Sequence, residues 1–102
     1  MTNQAEPRRL VPLFSTGQVV ATPGALRLLL RLSVNPADLL ARHVYGDFGD
    51  MCEEDLASNK LAVVHGTRVF SSYKLGEDRE STCWVITEWD RSVTTLLLPS
   101  EY

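Results

Sequence analysis

The densest group of side chains able to do chemistry in this chain is the segment HVYGDFGDMCEED at residues 43–55. His43 is followed by five carboxylates within nine residues: Asp47, Asp50, Glu53, Glu54 and Asp55. Carboxylates in such a group can ligate a metal ion, form an anionic surface for a basic partner, or stabilise the positive end of a helix dipole. Each role requires different neighbours, so the surrounding elements have to decide between them.

A metal site is the least favoured of the three. The acidic positions do not follow the alternating spacing of an EF-hand calcium loop. A site built from His43, Asp47 and Asp50 is sterically conceivable, but a histidine followed by acids is a common chance pattern. We therefore predict neither a metal nor another cofactor.

A structural role accounts for most of the segment. Gly46 is suited to end one helix and Phe48 to anchor the loop in the core. Asp50 and Glu53 have the spacing of a capping box at the start of the next helix.

The remaining option is partner binding by the acidic side chains. Asp47, Asp50, Glu53, Glu54 and Asp55 would form an anionic recognition surface. Trp89, beside Asp90 in a predicted turn, is either an exposed aromatic anchor of that surface or a core residue at the edge of the sheet. The whole chain carries 10 basic and 13 acidic side chains, a net charge of −3. This balance makes direct binding to nucleic acid unfavourable and is milder than that expected of a DNA mimic.

A second constellation lies on the predicted strands. One sheet face gathers Ser71, Tyr73, Thr87 and one of Thr94 and Thr95. This mixture is similar to the polar sheet faces of small RNA-cleaving toxins of the RelE and colicin type. The candidate catalytic residues of such a ribonuclease are His65 or Tyr73 as the base, Arg68 or Arg91 as the phosphate-stabilising cation, and Thr87. The chain has no G-x-S-x-G elbow and no phosphate-binding glycine loop.

Three helices precede these strands. Thr22 and Asn35 are N-cap residues followed by proline, which predicts helices from Pro23 to about Leu32 and from Pro36 to about Val44. A third helix is expected over about 51–64, with Leu56, Leu61, Ala62 and Val64 buried and Gly66 just past its end.

The rest of the chain alternates with period two. The stretches TRVFSSYKL, STCWVITEW and VTTLLLP predict three consecutive antiparallel strands, and GQVVAT is a short strand or an extended lead-in. The expected fold is α+β, with three short N-terminal helices packed on a C-terminal three-stranded antiparallel meander. Residues 1–11 are predicted to be a disordered tail, and residues 12–102 a single domain.

Composition also bounds the location. No apolar run approaches the length of a membrane helix, and the N-terminal residues lack the pattern of a secretory signal. We expect a soluble cytoplasmic protein in which Cys52 and Cys83 are reduced.

The segments GQVVATPGAL, LLARHVYGDFGD, EEDLASN and WVITEWDRSVTTLLLPSEY together resemble a group of small bacterial plasmid-related proteins found on mobile elements. The resemblance extends over nearly the whole chain beyond about residue 13. Phe48 stands where the family more often has tryptophan, which keeps an aromatic anchor. The family has no assigned biochemical activity, so the resemblance implies a setting: protecting, regulating or poisoning nucleic-acid machinery.

Small size, mild acidity and the acidic loop favour a non-enzymatic accessory or inhibitor protein that binds a host or element-encoded protein. The alternative is the small ribonuclease. Self-association as a homodimer is a third option, and it would require an apolar sheet face left uncovered by the helices.

Overall fold

A computed structural model describes residues 11–102, so the tail predicted for residues 1–11 lies almost wholly outside the described residues. The elements in chain order are β1 (Gln18–Ala21), α1 (Pro23–Arg31), α2 (Pro36–Val44), α3 (Glu53–His65), β2 (Val69–Leu75), β3 (Ser81–Thr87), β4 (Val93–Leu97) and a 3₁₀ turn (Pro99–Glu101). The predicted α+β class is confirmed.

The first two helices begin as the cap residues predict. The Thr22 hydroxyl accepts a hydrogen bond from the Ala25 N–H, and the Asn35 side chain accepts one from the Ala37 N–H at 2.9 Å. Each cap satisfies a backbone donor that the helix itself leaves unpaired.

The start of α3 differs from the prediction. Its N-cap is Cys52, which makes no side-chain cap bond, so the capping box of Asp50 and Glu53 is wrong. Asp50 instead accepts the Lys74 N–H at 3.1 Å and pairs with Arg79. The carboxylate is used by the edge of β2, which local sequence spacing cannot reveal.

The buried side of α3 was also predicted incorrectly in part. Leu61 and Val64 are 59% and 77% exposed, whereas Asn59 and Ala62 are buried. The helix ends at Gly66 as predicted, with a left-handed backbone at φ +70°.

The four strands form one mixed sheet in the order β1–β4–β3–β2. The predicted antiparallel meander is present, because β2 pairs with β3 and β3 with β4 in antiparallel register. The sheet has one strand more than the predicted meander, since β1 pairs with β4 in parallel, Val19 opposite Thr94. Gln18 and Val93 are 75 residues apart in sequence, so no local pattern identifies this partner.

The helices cover one face of the sheet. Two buried clusters, one around Tyr73, Val85 and Leu96 and one around Val69 and Phe48, join the sheet to the helices and the loop residues. All of these strand residues have the same facing parity. The opposite face carries Phe70, Trp84 and Thr95, and neither of the two buried clusters in which α1, α2 and α3 pack on the sheet includes a residue of that face.

No helix in residues 11–102 is long and apolar enough to cross a membrane.

Candidate functional site

Three aromatic rings and one arginine form a cluster on the helix-free face of the sheet, and we call this cluster the aromatic platform. Phe70 on β2 and Trp84 on β3 meet edge to face, with ring centroids 4.8 Å apart. Tyr102 packs on Trp84 at 5.7 Å. Arg68 donates a hydrogen bond to the Tyr102 hydroxyl at 2.6 Å and lies 5.5 Å from that ring's centroid.

The platform has an apolar base and a polar surround. Ile86 and Leu97 lie on the same face of the sheet and are buried. Ser72, Thr82 and Thr95 stand around them with partly exposed side chains, and Lys74 is exposed at the far end of β2. Tyr102 is 70% exposed, so the outermost ring is available for contact.

Glu101 fixes the position of Tyr102. Its carboxylate accepts the Thr22 hydroxyl, the Gly24 N–H at 3.2 Å and the Leu98 N–H at 2.8 Å. These bonds lower the pKa of Glu101, the Thr22 bond most strongly. One carboxylate therefore ties the 3₁₀ turn to the beginning of α1, next to the platform.

Trp89 belongs to the same end of the sheet as Arg68. Val69, at the start of β2, pairs with Thr87, at the end of β3. The residues that follow β3, including Trp89, are therefore at the same end of the sheet as the residues that lead into β2. Trp89 is 67% exposed, as the predicted turn implies.

The acidic segment divides into two parts with different surroundings. Asp47 pairs with Arg42 at 2.6 Å and accepts the Gly49 N–H at 3.2 Å. The hydrogen bond from Arg42 lowers the pKa of Asp47. Since Asp50 is also bonded internally, both aspartates hold the loop in place.

The other three acids, Glu53, Glu54 and Asp55, lie exposed in the first turn of α3, where they favour the helix dipole. The Asp50–Arg79 pair also places the β2–β3 hairpin beside this loop. The hairpin adds the exposed acids Glu77, Asp78 and Glu80, which the sequence reasoning did not group with the loop.

The candidate ribonuclease residues do not share one surface. Tyr73 and Thr87 are fully buried beneath the helices, whereas Arg68 is on the opposite face with Tyr102. Arg91 donates to the backbone oxygens of Thr67, Glu88 and Ala62 at 2.6, 3.1 and 3.2 Å. His65 is exposed at the end of α3. No single phosphate can contact Arg68 and Tyr73 in this arrangement.

Beneath α2, the predicted polar face forms a continuous buried chain of hydrogen bonds that we call the His43 cluster. His43 Nδ1 lies 2.6 Å from Ser71 Oγ, and Nε2 lies 2.9 Å from Thr87 Oγ1. Thr87 Oγ1 is 2.6 Å from Thr94 Oγ1, which donates to the Thr16 carbonyl at 2.8 Å. Thr94 is therefore the second threonine of this face.

The last bond in this series of hydrogen bonds fixes the tautomer of His43. A carbonyl only accepts, so the single Thr94 proton points to Thr16. Thr87 must then donate to Thr94, and the Nε2–H of His43 must donate to Thr87. Nδ1 is left as the acceptor of the Ser71 hydroxyl.

The imidazole is held neutral by its surroundings. Phe14 meets its ring edge on at 5.1 Å and Phe48 at 6.3 Å. Burial and, to a smaller extent, the nearby Arg91 cation together lower the pKa of His43 to about 4. Burial likewise raises the pKa of Tyr73, whose hydroxyl donates to the Asp47 carbonyl at 2.7 Å.

This burial gives the cluster a structural character. Ser71 and His43 have the spacing of a nucleophile and its base, but neither has any exposed surface. Both ring nitrogens of His43 are occupied by hydroxyls, which leaves none for the metal site considered with Asp47 and Asp50. Among residues 11–102, no group of three His, Cys, Asp or Glu side chains is placed to hold a metal ion.

The sequence placed Ser71, Thr87 and one further threonine on this face but did not join His43 to them, although one signal was available. His43 stands four residues after Leu39, so both belong to the buried side of α2. A histidine at such a position requires buried hydrogen-bond partners.

No family model, curated protein or solved structure matches this chain.

Proposed function

We propose that this chain is a non-enzymatic accessory or inhibitor protein of a mobile genetic element, and that it binds a host or element-encoded protein through the aromatic platform. The observation that carries the proposal is the position of Trp84, Tyr102 and Arg68 on the sheet face without helices. Tryptophan, tyrosine and arginine are the residues that most often dominate binding energy at protein interfaces.

The composition of this face supports a protein partner. Its centre is apolar and aromatic, and its surround carries hydroxyls and two cations, Arg68 and Lys74, which is the usual anatomy of an interface. A partner surface with an apolar projection and nearby carboxylates would complement it. The plasmid-related resemblance supports the mobile-element setting.

A polyanion is a poorer match. Arg68 occupies one face of the Tyr102 ring, and Phe70 and Trp84 meet edge to face rather than as open stacking surfaces. Two cations and a net charge of −3 also provide little attraction for a phosphate backbone.

The test begins with affinity capture from host lysate, followed by titration of the purified partner with purified variants. Arg68→Ala combined with Tyr102→Ala should weaken the affinity at least tenfold, because residues of these types commonly dominate binding energy. Both side chains are exposed, so their removal leaves no buried cavity in the fold. Leu30→Ala is the matched control, since Leu30 is 82% exposed on α1, away from the platform. Unchanged affinity in the double variant would refute platform binding.

A second arm tests the acidic surface. Glu53→Lys with Glu54→Lys reverses two exposed charges without breaking the internal bonds of Asp47 and Asp50. Loss of binding in this variant alone would move the interface to the start of α3.

The ribonuclease alternative is tested in the same samples by following RNA integrity. Intact RNA at stoichiometric protein supports the binding proposal. RNA cleavage that disappears with Arg68→Ala but persists with Leu30→Ala would overturn it.

A further inference from the structure

Residues 11–17, which we call the strap, lie against the helical side of the core. Phe14 is buried in a cluster with Val44 of α2, Ala62 of α3 and Val69 of β2. The Leu13 N–H donates to the Val44 carbonyl at 2.8 Å. The strap continues directly into β1, so its attachment also positions the edge strand.

The strap is joined to the sheet through the His43 cluster. The Thr16 carbonyl is the terminal acceptor of the hydrogen-bond chain, and Phe14 covers the edge of the imidazole. The same histidine therefore contacts the strap by packing and, through Thr87 and Thr94, by hydrogen bonding.

We propose that the His43 cluster is an acid-sensitive latch that holds the strap on the core. A proton added at Nδ1 would meet the proton of the Ser71 hydroxyl, which donates to that atom in the neutral state. Ser71 would have to rotate, and a buried positive charge would be created near Arg91. Lifting Phe14 away would bring water to the imidazole and relieve both effects.

The groups around His43 offer no compensating negative charge. Arg91 faces it from the turn between β3 and β4, and Tyr73 lies on the same side of β2. On α2 and its following loop, Arg42 and Asp47 pair with each other at the surface. The strap and β4 contain no titratable side chain, and the titratable side chains of α3, including Lys60 and His65, are exposed.

Opening is expected to be local. Besides the packing of Phe14, whose ring centroid lies 5.3 Å from the Arg91 guanidinium, the strap is held by the Leu13–Val44 and Thr94–Thr16 hydrogen bonds. The sheet beneath it has full ladders on both sides of β3. Segments with few contacts open at lower free energy than the core does.

Amide hydrogen exchange of Leu13 measures the latch, because its N–H is bonded only while the strap is closed. After correction for intrinsic exchange, the opening equilibrium should rise about tenfold between pH 7.5 and pH 5.5, given a pKa of about 4 when closed and 6.5 when open. The Leu13 amide should also be less protected than the Val85 amide in the central strand.

Two variants separate the latch from general acid sensitivity. His65→Asn removes the exposed histidine and should leave the Leu13 response unchanged. Thr94→Val removes the bond to Thr16 while keeping His43, so Leu13 protection should already fall at pH 7.5.

Three results would overturn the latch: no acid response at Leu13 in the wild type, protection equal to that of Val85, or unchanged Leu13 protection in Thr94→Val. Nitrogen chemical shifts of the His43 ring provide a check that needs no variant, because the latch requires a proton on Nε2 and none on Nδ1 at neutral pH. None of these measurements depends on partner binding.

Discussion

The side-chain amide of Asn59 on α3 pairs with both backbone groups of Phe70, donating to its carbonyl and accepting its N–H at 3.1 Å. A helix residue thus takes the place of a neighbouring strand at the outer edge of β2. Phe48 and Asp50 continue this cover at Ser72, whose N–H donates to the Phe48 carbonyl at 3.0 Å. The edge next to the aromatic platform is therefore closed to further strand pairing.

Replacing Asn59 by alanine should lower the free energy of unfolding by about 2–3 kcal/mol, because it leaves the N–H and C=O of Phe70 without partners at a site only 4% exposed. Urea denaturation measures the loss. Ser58→Ala, at an exposed neighbouring position, is the control. A loss in Asn59→Ala no larger than that in Ser58→Ala would show that the edge is satisfied in another way.

Gly49 allows the loop to approach β2. A Cβ at this position would stand 2.1 Å from the Ser72 carbonyl oxygen, and its φ is +82°. Gly49→Ala should cost roughly 3 kcal/mol or more, since backbone must move. Gly66→Ala is the matched control: its φ is +70° with open space around the Cβ, so only the conformational cost of about 1 kcal/mol remains. Equal losses in thermal denaturation would contradict the close approach.

Global stability should fall as the solution is acidified. His43 is neutral in the folded state with a pKa of about 4, whereas in the unfolded chain it gains a proton near pH 6.5. The unfolded state therefore binds more protons between these values. The contribution of His43 to the free energy of unfolding is fully present above pH 6.5 and decreases by about 3 kcal/mol as the pH falls to 4.

Urea titrations across this pH range measure that dependence. His43→Gln should remove most of it, while His65→Asn should keep it. An acid response that survives in a folded His43→Gln protein would assign it to other groups.

We expect Arg91 to stabilise the folded state, because its guanidinium binds three backbone oxygens and lies 5.3 Å from the Phe14 ring centroid. Arg91→Ala should lower the free energy of unfolding by roughly 2 kcal/mol or more. Arg68→Ala removes an exposed side chain that, within residues 11–102, is hydrogen-bonded only to Tyr102, and should change the free energy of unfolding by less than about 1 kcal/mol. Denaturation of the two variants side by side tests this difference in the free energy of unfolding. A shared catalytic role of the two arginines would not produce such a difference.

The local elements follow from the sequence because their causes are local. Thr22 and Asn35 each stand before a proline and cap the helix that follows, so the starts of α1 and α2 could be predicted to the residue. Alternation along β2 and β3 correctly assigned Ser71, Tyr73 and Thr87 to one face. Phe48 was rightly predicted as a buried anchor, whereas the sequence left open whether Trp89 is exposed or packed at the edge of the sheet.

The tertiary structure decided which of these elements meet. Asp50 has the spacing of a helix cap, but its side chain bonds to Lys74 and Arg79. On α3 the side chain that faces β2 is that of Asn59, whereas Leu61 was predicted to be buried. The pairing of β1 with β4, the His43 cluster and the platform at Tyr102 all join residues distant in sequence. Local spacing determines backbone conformation and facing, whereas partners across the fold depend on how the helices pack on the sheet.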